Sequence, residues 1–223
     1  MDSRDERTLE ERTFIVDFWA GIFAVLKWIS LFQLISYLFR NRLCNQKRYI
    51  FVDAWVLGHL IASFLAVVLI RYIDFNPLRY FILVYAFLRI FEITVYQVNV
   101  LLFDEHRARA RSRDYSVRSY RRTVLLLLHN YFEIIFWFAA AYLVLAGEFR
   151  FENMNGSLVE IIYSSFVVMT NFGSPGIKAQ TIIGLYVLWA QSITGLFMTL
   201  LSLARFIALL PAPGTMDKDE RQD

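Results

Sequence analysis

Residues Tyr163 to Gly176 read YSSFVVMTNFGSPG, a short apolar run that gives way to a glycine-punctuated loop. On either side lie two much longer apolar stretches, Thr123 to Ala146 and Thr181 to Leu210. The hydrocarbon core of a bilayer is about 30 Å thick and takes about twenty helical residues to cross, so each flanking stretch is long enough and Leu158 to Met169 is not. A half-helix survives at membrane depth only where protein or water satisfies its open backbone ends. The pattern therefore predicts a re-entrant helix and loop held between two spanning helices.

The rest of the chain fits a membrane setting. Of its 223 residues, 57% are hydrophobic and 17% aromatic, more apolar surface than one soluble core can hide. Many of the aromatic residues flank the apolar runs, where amphipathic rings favour the headgroup level. The one cysteine, Cys44, has no partner for an intrachain disulfide and no neighbours at metal-ligand spacing. No cysteine–histidine, metal-ligand or serine-triad pattern appears, so neither catalysis nor a cofactor is expected. A cleaved signal peptide is not expected either, because no small-residue cleavage site follows the first apolar stretch.

Three further stretches, Phe14 to Phe39, Tyr49 to Ile73 and Leu78 to Phe103, bring the candidate spans to five. The first carries Lys27 near its middle, and a charge at the bilayer centre costs on the order of 3 kcal/mol or more unless it snorkels or pairs. Residues 14–39 thus either span or lie along the inner surface, and the reading is an all-α membrane protein of four to five transmembrane helices. Basic residues set the orientation. The linker with Arg40, Arg42, Lys47 and Arg48, and that from His106 to Arg122, belong on the cytoplasmic side; the stretch with Glu148, Glu152 and Glu160 belongs outside. The expected organisation is a polar segment 1–13, transmembrane helices 14–103, an arginine-rich cytoplasmic linker 104–122, a pore module 123–210 and a cytoplasmic tail 211–223, in a multi-pass protein of the inner (plasma) membrane.

The central stretch resembles the pore-loop signature of the potassium-channel family, YFSFVTLTTVGYGD, and matches it without a gap at Tyr163, Ser165, Phe166, Val167, Thr170 and Gly173. That family's inner helix commonly carries a hinge glycine twenty-two positions beyond the first filter glycine, and Gly195 stands there. The resemblance covers Arg121 to Leu210. It implies a homotetramer embedded in lipid, with four copies of Thr170, Asn171, Phe172, Gly173, Ser174 and Pro175 forming an ion-conducting filter for permeant cations.

Selectivity in such a filter comes from backbone carbonyls that replace the water shell of the ion, with glycines permitting the backbone shape. Here Ser174, Pro175 and Gly176 replace the family's tyrosine, second glycine and aspartate. Proline fixes its φ and lacks an N–H, so the outer half departs from the family's geometry and altered cation selectivity is expected. Glu148, Glu152 and Glu160 would either gather cations at the entrance or merely solvate an exposed turret. Gly195, Thr199, Leu203 and Phe206 form a helical stripe read as hinge and gate, where apolar rings could close the path by dewetting; ordinary helix packing is the other reading of Gly195.

Several ionisable residues fall within the other spans: Asp53 and His59, Arg89 and Glu92, His129 and Glu133. Arg89 and Glu92 are three apart and His129 and Glu133 four apart, so each pair can meet on its own helix face. They read as neutralised packing pairs or, centred on His129, a proton-sensitive switch. A voltage sensor needs arginines at every third position of one span, which this chain lacks.

The segment HRARARSRDYSVRSYRR places Arg107, Arg109, Arg111, Arg113, Arg118, Arg121 and Arg122 around Tyr115 and Tyr120. Guanidinium forks take phosphate oxygens in pairs and tyrosine rings offer faces on which bases stack; a linker that fixes topology against anionic lipid has the same composition. In overall plan, a small channel-like membrane subunit with an arginine-rich cytosolic ring resembles the effector of the Hailong anti-phage system. That resemblance implies a channel held closed by a single-stranded DNA oligomer made by a nucleotidyltransferase, with Arg107 to Arg122 as DNA contacts and depolarisation on opening. A housekeeping potassium channel gated by pH or lipid, and a membrane scaffold with a dead pore, are the alternatives.

Overall fold

A computed structural model of the chain describes residues 45–100, 120–152 and 157–209, together with positions 18, 21 and 22. Whether residues 14–39 span lies outside the described residues, as does most of the arginine segment. Four helices are long and apolar enough to cross a membrane. In chain order they are α1 (Asn45–Tyr72), α2 (Asn76–Val98), α3 (Tyr120–Val144) and, after the short α4 (Leu158–Thr170), α5 (Ile182–Leu209). Their bounds agree with the expected spans to within a few residues. Pro77 lies in the first turn of α2, where its missing N–H costs nothing and its fixed φ suits helix entry.

Two short strands were not foreseen in a chain read as all-α. A 3₁₀ turn, Ala146–Glu148, leads from α3 into β1 (Phe149–Phe151), which pairs antiparallel with β2 (Ile177–Ala179) just before α5. The register sets Phe149 opposite Ala179 and Phe151 opposite Ile177. This ladder, with the Glu152 amide donating to the Gly176 carbonyl at 2.9 Å, ties together the two ends of the segment that holds α4.

α3 is the hub. Half of its spanning window is buried, against 22% for α1 and 28% for α5. Ile134 and Ile135 are buried, and Trp137 to Leu143 are buried without a break, so the far half of α3 is covered on every side. Ala139, Ala140 and Ala141 let neighbouring backbones come close, the usual means of tight helix contact in membranes. From α2, the Arg79 guanidinium donates to the Leu143 carbonyl at 3.2 Å, serving one of the carbonyls that the end of α3 leaves open.

The polar groups at membrane depth find partners across helices. Arg89 on α2 donates through Nε to Glu133 on α3 at 2.7 Å and through Nη1 to Glu92 at 2.7 Å. The expected pairing of Arg89 with Glu92 is therefore present, while Glu133 turns to Arg89 and to the Trp137 indole N–H at 3.2 Å rather than to His129. The His129 ring nitrogen Nδ1 instead meets the Leu125 carbonyl of its own helix at 2.6 Å. Asp53 on α1 accepts both Nε and Nη2 of Arg122, at 3.0 and 2.7 Å, and so fastens the start of α3 to α1.

A second buried set joins α3, α4 and α5. Ser165 Oγ on α4 donates to the Ile135 carbonyl of α3 at 2.7 Å, and Gln191 Nε2 on α5 donates to the Ser165 carbonyl at 2.8 Å. The Tyr142 hydroxyl donates to the side-chain oxygen Oε1 of Gln191. All three side chains are fully buried, so removing one partner strands the others without water. Replacing Gln191 by Leu should cost about 1–3 kcal/mol, the penalty for a buried polar group left unmade, read as a lower thermal midpoint of the detergent-solubilised chain; Ser192→Ala, on the same helix, should leave the midpoint unchanged.

Candidate pore segment

α4 owes its position to both of its ends. At the start, Ser157 Oγ accepts from the Glu160 amide at 3.2 Å, the geometry of an N-terminal cap with an acidic residue in the first turn. Glu160 is buried, which corrects its expected place in an open acidic mouth. The other two acids of that set are also engaged: Glu148 accepts from the Thr181 hydroxyl and Glu152 pairs with Lys178. The acidic stretch thus clamps the hairpin and the helix start instead of standing free at an entrance.

At the far end, α4 stops at Thr170 because Asn171 turns to a left-handed backbone, φ 57°, a conformation asparagine tolerates better than most side chains. Gly173 follows with φ 97°, where a side chain would be strained, so the glycine shared with the pore-loop signature is required by the backbone. Thr170 Oγ1 donates to the Phe166 carbonyl at 3.0 Å, which spends its hydrogen on the helix and leaves the oxygen lone pairs as acceptors. Asn171, Phe172, Gly173 and Ser174 are all exposed, Phe172 by 79%. The Ile177 amide then donates to the Pro175 carbonyl at 2.6 Å in a tight turn that delivers the chain into β2.

Gly195 marks the closest approach of α5 to this segment. A Cβ there would lie 2.9 Å from the Met169 carbonyl carbon, closer than real side chains come, and would run into the Met169 oxygen itself. The same carbonyl accepts from the Tyr131 hydroxyl of α3 at 3.2 Å, and that hydroxyl also meets Thr199 Oγ1 of α5 at 3.2 Å. The stripe read as hinge and gate therefore divides. Gly195 and Thr199 engage α4 and α3 of the same chain, so the packing reading of Gly195 describes its contact; Leu203 and Phe206 are exposed farther along α5.

Of the arginine set, Arg107, Arg109, Arg111, Arg113, Tyr115 and Arg118 lie outside the described residues, and Arg121 is described only as part of α3. Arg122 is committed to Asp53. Among the described residues no cluster of histidine, cysteine and acids could hold a metal ion. Sequence reasoning did not single out Tyr131, Tyr142 or Gln191, although the latter, an amide inside an otherwise apolar α5, was a readable signal of a buried hydrogen bond. Compared with protein-family models, curated proteins and solved structures, the chain matches none of them. Substituting Gly195 by Ala should force Met169 and Thr170 aside and cost about 1–3 kcal/mol of packing; a lowered thermal midpoint, partly restored by removing the Tyr131 hydroxyl in Tyr131→Phe so that Met169 can yield, is the outcome to look for.

Proposed function

We propose that four copies of this chain surround a cation-conducting path, with the exposed turn from Thr170 to Gly173 as the constriction. The observation that carries this reading is the arrangement at the end of α4. A helix of 13 residues is about 20 Å long, too short to cross the hydrocarbon, and it ends in an exposed, partly left-handed turn. Open carbonyls at such a place need water or ions, and a path along a symmetry axis supplies both. Val159, Tyr163 and Phe166 form an exposed apolar stripe along the same short helix, at a spacing of four and three, which neighbouring copies would cover. The negative end of the α4 dipole at Thr170 favours cations over anions.

Opening is governed from the cytosolic side in this reading. The arginine segment 104–122 takes a polyanion such as a single-stranded DNA oligomer, and binding of that ligand to one packing of the helices shifts the balance between closed and open forms. A 100-fold preference, about 2.7 kcal/mol, is enough to move the population substantially. Arg122 gives the segment a mechanical attachment: it lies in the first turn of α3 and is bound to Asp53 of α1, so a phosphate competing for its guanidinium acts on the outer helix of the pore module. A channel of this kind would serve as an effector that depolarises the plasma membrane, consistent with a role in anti-phage defence.

Reconstitution in liposomes tests both parts. Potassium and sodium should both permeate, since Ser174 and Pro175 replace the outer half of a selective filter, and particle images should show fourfold symmetry. Short single-stranded DNA on the cytosolic face should change the flux, with an affinity that falls steeply as salt rises. Replacing Arg107, Arg109, Arg111 and Arg113 by Gln should abolish the DNA effect and leave conduction intact. A chain that passes no ion under any of these conditions would rule the pore reading out.

A further inference from the structure

Three helices meet through hydroxyl groups where α4 ends. The Tyr131 hydroxyl of α3 lies 3.2 Å from the Met169 carbonyl oxygen of α4 and 3.2 Å from Thr199 Oγ1 of α5. A phenolic hydroxyl has one hydrogen and accepts through its oxygen, whereas a carbonyl can only accept. The Tyr131 hydrogen therefore goes to Met169, and the Thr199 hydroxyl is the donor to Tyr131. The contacts form a directed chain from Thr199 through Tyr131 to Met169, in which each bond polarises the next.

Thr199 joins this chain in place of a local bond. A threonine hydroxyl inside a helix commonly returns to the carbonyl four residues back. Thr194 on the same helix does so, donating to the Ala190 carbonyl at 2.8 Å, while Thr199 reaches across to α3. Gly195, one turn before Thr199, lets α5 come this near, because its backbone packs on the Met169 carbonyl with no room for a Cβ. Met169 is fully buried, so its carbonyl has no solvent to take the place of a withdrawn hydroxyl.

The set of that carbonyl is felt in the exposed turn. The Met169 oxygen and the Thr170 amide belong to one planar peptide unit, so tilting the carbonyl rotates the entry to Thr170 with it. Thr170 Oγ1 donates to the Phe166 carbonyl at 3.0 Å and faces the Phe172 amide at 3.5 Å, across the left-handed Asn171.

We propose that Tyr131 is a positioning residue for the turn from Thr170 to Gly173: through its hydroxyl, the place of Thr199 on α5 sets the tilt of the Met169 carbonyl and with it the shape of the turn. The functional half of this inference rests on the reading of that turn as the constriction. Movement of α5 then alters ion preference through a chain of hydrogen bonds.

The test compares full-length wild type with Tyr131→Phe, Thr199→Val, their double variant, Thr199→Ser and Thr194→Val. In detergent, Thr199→Val should lower the thermal midpoint of the wild-type chain and leave that of Tyr131→Phe unchanged, where its partner is already gone. An equal drop in both backgrounds would overturn the chain of hydrogen bonds. In liposomes, the potassium-to-sodium permeability ratio should shift in the same direction in Tyr131→Phe and Thr199→Val, and no further in the double variant. Thr199→Ser, which restores the hydroxyl, and Thr194→Val, which removes only a bond within α5, should keep the wild-type ratio. A general loss of fold lowers the flux without moving this ratio. Should Tyr131→Phe fail to fold, Thr199→Val against Thr199→Ser carries the comparison. A conducting wild type whose ratio is shared by every variant would overturn the positioning role and leave the channel reading standing. A wild type that passes no ion would remove the channel reading and the functional half together, and the midpoints then decide the link between α5 and α4.

Discussion

A thirteen-residue helix packed among helices long and apolar enough to cross a membrane needs its own open ends satisfied, and most of the fold answers that demand. Ser157 serves the opening amides, Asn171 bends the chain away from the last turn, and the Ser165–Gln191–Tyr142 hydrogen bonds fix the middle. The caps are local to α4, while the hydrogen bonds through Ser165 and Gln191 join α3, α4 and α5. The hydrophobic effect contributes little to helix association in lipid, which makes these directional contacts and the close fit at Gly195 the main sources of specificity.

The same junction explains why the Met169 carbonyl is a sensitive point. It is the last peptide oxygen before the Thr170 residue, and Tyr131 from one side and Gly195 from the other meet at it. A shift of α5 relative to α3 is bound to change the Tyr131–Thr199 contact and the seat of Met169 together. Motion in the inner helix and shape in the exposed turn are thereby linked through three residues, and packed interfaces of this kind move between discrete arrangements instead of deforming smoothly.

Much of this was legible in the chain itself. Hydropathy and length gave the spans and the half-helix, since both follow from bilayer thickness alone. The need for glycine at position 173 was also visible, and the backbone there has the positive φ that requires it. Partnering was harder. Spacing on one helix suggested that Glu133 would meet His129, but a buried guanidinium has several donors to satisfy and drew Glu133 across from the next helix. Glu160 looked like a surface acid because it was read with Glu148 and Glu152 as the end of one acidic linker, whereas it lies in the first turn of α4 and is buried. The three-residue strands left no alternating pattern long enough to read, and FRF and IKA gain their pairing only because the pore segment brings them side by side.

That small ladder has a consequence of its own. By pinning Glu152 to Gly176 and aligning Phe149 with Ala179, it makes the stretch between them a closed excursion whose two feet stand together whatever lies at its tip. Loop closure costs grow only slowly with length. The tip can therefore be lengthened, shortened or exchanged without disturbing the frame, as a cassette between two fixed anchors.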